Sequence, residues 1–156
     1  MLRMDESEDA TEPVDRTLLE REYFHIQKAL DSFDSKSLMI KAWSVSLSMA
    51  GIGAAYVESK PGLLLLAGAS ALLFWIIEGL WKTFQYAYYA RIFEIEGFLS
   101  GERQKIKAPQ IGVSWSRSFR EGGTRRLWKV LTWPHVALPH VVVGFGGVLL
   151  YLLMKP

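Results

Sequence analysis

Three stretches of the chain are long, apolar and almost bare of charge: residues 38–57, 63–81 and 136–154. About twenty residues rising about 1.5 Å each cross a hydrocarbon layer about 30 Å thick. The pattern therefore predicts an all-α integral membrane protein with three transmembrane helices. The first two are separated by Glu58, Ser59, Lys60, Pro61 and Gly62, a tight turn in which Pro61 suits the start of the second helix. Lys41 lies near the start of the first span and can snorkel to the interface, with Trp43 in the aromatic belt beside it.

Outside these stretches the pattern changes. Residues 1–14 are acidic and too poor in apolar residues to offset their ordering entropy, so a disordered tail is expected there. Over 15–36, Leu19, Tyr23, Ile26, Leu30 and Phe33 step by four and three, which predicts an amphipathic helix with a heptad seam. That seam either packs on another part of the chain or associates with a second copy. No proline or paired glycine interrupts residues 80–96, so the second helix should run on past the membrane to about residue 98. Residues 37–100 thus form a two-span hairpin with an extension. Residues 101–133 read as a basic, aromatic loop, and 134–156 hold the third span, with Pro139 and His140 in its first turns.

Half of the residues are hydrophobic, an ordinary share, so the membrane reading rests on their distribution. The start of the chain has neither the basic flank nor the apolar run of a secretory signal, and the first apolar stretch is expected to be retained. Arg3, Arg16, Arg21, Lys28 and Lys36 precede the first span, Lys60 alone occupies the first turn, and Lys155 alone follows the third span. The second connection carries Lys82, Arg91, Arg103, Lys105, Lys107, Arg117, Arg120, Arg125, Arg126 and Lys129. The positive-inside rule then places the N-terminus and the basic segment in the cytoplasm, and the C-terminus outside. Arg117, Arg120, Arg125, Arg126 and Lys129, interleaved with Trp115, Phe119, Trp128 and Trp133, are candidates for binding lipid headgroups. Nucleic acid attracts the same residues, but tethering at a membrane favours lipid.

Within the first span, Ser44, Ser48, Gly51 and Ala55 form a narrow stripe of small residues. Small residues let helix backbones approach in lipid, and serine can hydrogen-bond across the contact. The stripe either meets the other spans of the same chain or lines an oligomer contact or pore. If the first span continues the amphipathic helix, Tyr23, Leu30, Ser37, Ser44 and Gly51 share one face, which would line the centre of a homo-oligomer. Glu78 is an ionisable group inside a span and needs a partner. Lys82, four residues on, is placed to pair with it, and an ion or proton pathway is the alternative. His140 and His135 suit polar contacts to Glu78 or to headgroups. Glu94 and Glu96, with Arg91, could bind a partner or form a solvated helix end. Gly144, Gly146 and Gly147 suit close helix packing.

There is no cysteine, which removes disulfides, thiolate metal sites and cysteine nucleophiles. No paired-carboxylate, catalytic-triad, metal-ligand or nucleotide-binding pattern stands out, so neither enzyme activity nor a cofactor is expected.

The layout of a helix followed by two spans and a basic segment resembles the SLATT-type membrane effectors of bacterial defence systems. The resemblance covers roughly residues 17–100 in architecture, and the third span departs from it. It implies an oligomeric effector that permeabilises or depolarises the bacterial inner membrane. Three functional expectations follow. One is a homo-oligomeric pore or ion channel. Another is a non-catalytic scaffold that holds a soluble cytoplasmic partner at the membrane. The third is a transporter or membrane enzyme using Glu78 and His140.

Overall fold

A computed structural model of the chain describes residues 15–107 and 109–154. Four helices account for nearly all of them: α1, Arg16–Val57; α2, Gly62–Leu99; α3, Ile111–Leu131; and α4, Pro134–Met154. α1, α2 and α4 each contain a stretch long and apolar enough to cross a membrane. The acidic tail expected over 1–14 and the terminal Lys155 lie outside the described residues.

α1 and α2 are longer than any span needs. No glycine or proline falls between Arg16 and Ala50, so nothing separates the amphipathic segment from the first span. That segment and the first span form one uninterrupted helix, so 15–36 is not a separate element. Asp15 caps its start, accepting a hydrogen bond from the Thr17 N–H at 2.9 Å. At its end Ser59 adopts a left-handed φ of 52°, and the Lys60 N–H returns to the Ala55 carbonyl at 3.0 Å. This closes a Schellman turn on a residue other than glycine. α2 then runs back antiparallel beside α1, past the margin of its span to Leu99.

The basic segment departs most from expectation. Most of residues 101–133 is helical as α3 rather than loop. Ile111, Trp115 and Phe119 recur at a spacing of four, but Gly122 and Gly123 interrupt the pattern in the sequence. Gly123 takes a φ of 47° and a ψ of -155°, which glycine adopts without steric cost, so α3 is two helical segments joined by a kink at Gly123. α3 descends along α2. The rings of Trp115 and Phe119 stack 5.1 Å apart against Phe84. Further on, Leu127 and Leu131 close over Gly79, where there is no room for a side chain. Trp133 and Pro134 turn the chain into α4, which runs down the rest of α2.

The molecule is therefore two three-helix bundles end to end. α1 and α2 pass through both. α3 completes the polar bundle, and α4 completes the apolar one. The core of the polar bundle is Leu19, Ile26 and Leu30 of α1 against Ile92 and Ile95 of α2. Tyr23 adds a hydrogen bond to Glu96 at 2.9 Å, and Phe33 packs on Trp81 at 4.8 Å. The heptad seam thus packs on its own chain. In the apolar bundle the contacts are backbone-close. Gly51 lies against Ala67, and a Cβ on Gly147 would come within 3.1 Å of the Leu64 carbonyl. Gly144 faces Gly68 and Ala71, and Gly53 and Gly146 face open space.

Candidate functional site

Two buried ionic clusters sit at different heights on α2. The first is centred on Glu78, which is fully buried. One carboxylate oxygen accepts from the Ser37 hydroxyl at 3.0 Å and from the Lys41 ammonium. The other meets the His140 Nε2 at 2.9 Å, and the His140 Nδ1 meets the Ser44 hydroxyl at 2.8 Å. With Glu78 ionised, a neutral imidazole satisfies the whole set: its Nε2–H donates to the carboxylate, and its Nδ1 accepts from Ser44. Lys41 supplies the compensating charge. α1, α2 and α4 each contribute, so the cluster joins all three spans.

These contacts revise two expectations, for Glu78 and Lys41, and give His140 the polar contact to Glu78 that was expected of it. Glu78 pairs with Lys41 and His140 rather than with Lys82, whose ammonium is taken by Asp34 and Gln85. Lys41 turns inward to Glu78 rather than out to the interface. His140 bonds Glu78, whereas His135 is exposed beside Trp133. The stripe Ser44, Ser48, Gly51, Ala55 faces α2 and α4 of the same chain. Ser44 bonds His140, Ser48 donates to the Ala67 carbonyl at 3.2 Å, and Ala55 is buried.

The second cluster is centred on Arg91, 2% exposed. Its guanidinium grips Glu22 with both carboxylate oxygens, at 3.0 and 2.7 Å, and reaches Glu94 at 3.1 Å and the Lys107 carbonyl at 3.3 Å. Glu22 also accepts from the Gln110 N–H at 3.0 Å. α1, α2 and the entry to α3 are thus pinned at one point. Burial alone would lower the Arg91 pKa, but the bonds to Glu22 and Glu94 outweigh it and hold the pKa above its usual value. Glu22 carries a charge, and Arg91 was expected to bind a partner or to belong to a solvated helix end. Both are core residues of the polar bundle. The signal was present: Glu22 follows Leu19 by three and precedes Ile26 by four, which places it on the buried stripe.

The five candidate headgroup residues divide. Arg117, Arg120, Arg125 and Lys129 are exposed. Arg126 instead lies 5.0 Å over the Tyr86 ring and bonds the Ser118 hydroxyl. Three tryptophans are used inside the chain: Trp75, Trp81 and Trp115 donate to the carbonyls of Leu131, Phe33 and Phe84. Trp43 and Trp128 remain exposed, at 63% and 70%.

One further recess lies where the bundles meet. It has a volume of about 360 Å³ and is walled by Tyr86, Tyr89, Phe93 and Trp133, with Asp34 and Lys82 at its edge. Phe93 is 63% exposed. Burial raises the Tyr89 pKa, and the nearby Asp34 adds to the rise. Among the described residues, no group of three or more His, Asp or Glu side chains converges as a metal site would require. The chain matches no family model, no curated protein and no solved structure, so its own residues carry the functional argument.

Proposed function

We propose that the chain is a non-catalytic membrane scaffold: its apolar bundle anchors it, and its polar bundle presents a cytoplasmic docking surface to a soluble partner. The observation that carries this reading is the direction in which the apolar bundle turns its polar groups. Glu78, His140, Lys41, Ser37, Ser44 and Ser48 all bond inside the chain. No described buried side-chain polar atom lacks a partner. The surface left for lipid is Leu38, Met39, Leu47, Met49, Val142, Phe145, Leu149 and their like. Such a surface suits an anchor and offers little to line a wet path. The polar bundle does the opposite. It leaves Phe24 and Phe93 exposed to water and keeps the aromatic recess at its base open.

The test is purification of the chain in nanodiscs, with ion flux measured from the same protein in liposomes. A scaffold gives no flux, and it retains a soluble protein that is lost on Phe93→Glu while the helical content is unchanged. Flux above empty liposomes that is abolished by Gly51→Leu would replace this reading.

A homo-oligomeric pore of the SLATT-like kind is the second reading, and one observation favours it. A groove of about 590 Å³ runs outside α1 and α2, lined by Ala50, Gly51, Ala54, Ala67 and Ser70. Small residues there would let a helix of a second copy approach closely. A discrete oligomer, by mass in nanodiscs, that Ala54→Leu dissociates would support it.

A further inference from the structure

The polar bundle carries a second recess that the scaffold reading does not use. It opens beside Arg91, has a volume of about 170 Å³, and is lined by Arg103, Lys105, Lys107 and Arg117. Glu94 is the acidic side chain on its wall, and it is bonded to Arg91. None of the four cations bonds a carboxylate among the described residues, and all four are exposed. Even with Glu22 and Glu94 counted, the recess keeps a net positive charge. Like charges gathered this closely repel one another unless an anion lies between them.

The segment bearing the cations is tied down. The Arg103 N–H donates to the Gly97 carbonyl at 2.7 Å, and the Arg103 stem lies beside Gly97. The Lys107 carbonyl accepts from Arg91, and the Gln110 N–H donates to Glu22. Arg117 comes across from α3. Three backbone anchors therefore hold cations from two segments around one hollow, and binding an anion there costs little ordering.

Height argues for the kind of anion. Arg91 lies ten residues beyond Trp81 on a continuous helix, which places the recess about 15 Å past the end of the span. Headgroup phosphates lie nearer that margin, at the level of the exposed Trp128 and Lys129. We propose that this recess binds the phosphate groups of a small soluble molecule, such as a nucleotide or other diphosphate ester, with Arg103 and Arg117 able to engage phosphate oxygens bidentately and Lys105 and Lys107 as point charges.

The experiment uses the full chain in phosphatidylcholine nanodiscs, titrated calorimetrically with inorganic pyrophosphate. Saturable one-to-one binding is expected, weakened at least tenfold by Lys105→Gln with Arg117→Gln. Arg103→Gln with Lys107→Gln should weaken it similarly, so one ill-folded variant leaves the other to decide. Arg125→Gln with Lys129→Gln should leave it unchanged. A second arm measures binding of the chain to phosphatidylglycerol vesicles. If pyrophosphate does not bind, or binds equally to both recess variants, the proposal fails. It fails equally if the recess variants lower only vesicle binding, since the phosphate would then be a lipid's.

Discussion

The same two helices solve two different packing problems along their length. In the polar bundle α1 meets α2 through Leu19, Ile26 and Leu30, large side chains whose removal from water supplies the drive. In the apolar bundle it meets α2 and α4 through Ser37, Ser44, Ser48, Gly51 and Ala55. Lipid offers no comparable drive, so close backbone approach and hydrogen bonds take over. Each bundle is also locked by one ionic cluster, Arg91 with Glu22 above and Glu78 with Lys41 and His140 below. Side-chain size along α1 thus records the solvent around it.

The contrast can be broken most sharply at Arg91. Arg91→Leu strands the buried Glu22 carboxylate and should cost about 3–5 kcal/mol. Hydrogen exchange would show the polar bundle opening while the apolar spans stay protected. Replacing Glu22 with leucine as well should recover much of the loss. A single variant as protected as the parent would mean that the cluster is peripheral.

Next in size is the difference between media. Ile26→Ala empties a fully buried site in the water-facing bundle and should cost about 2–5 kcal/mol. Ser48→Ala removes one intramembrane hydrogen bond and should cost only about 0.6 kcal/mol. Chemical denaturation in detergent gives both numbers, and equal costs would remove the distinction between the bundles. Gly147→Leu tests close approach directly, since its Cβ would press on the Leu64 carbonyl. A loss of about 1–3 kcal/mol is expected, read as a lower melting temperature in detergent. An unchanged melting temperature would show that α4 does not depend on that contact.

The smallest effect is electrostatic. Burial tends to raise the Asp34 pKa, but hydrogen bonds from Lys82 and Gln85 outweigh it and bring it below the ordinary 3.8. A depressed carboxylate stabilises the fold above its unfolded pKa, and the gain is lost as pH falls from about 4 through the folded value. Asp34 is largely exposed, so the contribution should stay under about 1 kcal/mol. Asp34→Asn should therefore lose that small contribution at neutral pH, leave stability below the folded pKa nearly unchanged, and so flatten the acid limb of the stability curve slightly.

Much of this was legible in the residues. Period and length found the three apolar helices, and the absence of breakers carried α2 to Leu99. Other features were hidden for physical reasons. The glycine pair at 122–123 masks α3, because the sequence does not show that helix resumes directly after the non-helical Gly123. Glu78 was recognisable as a residue in need of a partner, but Lys82 lay nearer in sequence than Lys41, and only the packing of α1 on α2 reverses that order. Glu22 stands on the buried stripe, but a charge there points to water until the packing of α1 on α2 brings Arg91 to it. The cationic recess depends on a loop folding back on the end of α2, which no periodicity encodes.

The central claim is that the buried face of α1 is occupied within its own chain. The chain has no native cysteine, so single cysteine replacements along α1 report its surroundings directly. In native membranes, replacements at Leu19, Ile26, Ser44, Ser48 and Ala55 should resist thiol reagents and give no cross-linked dimer. Those at Phe24, Met39 and Leu47, which point outward, should react readily with a reagent suited to water or lipid. Efficient disulfide-linked dimers at Ser44 and Ser48 would show that α1 faces another copy, and would contradict the account.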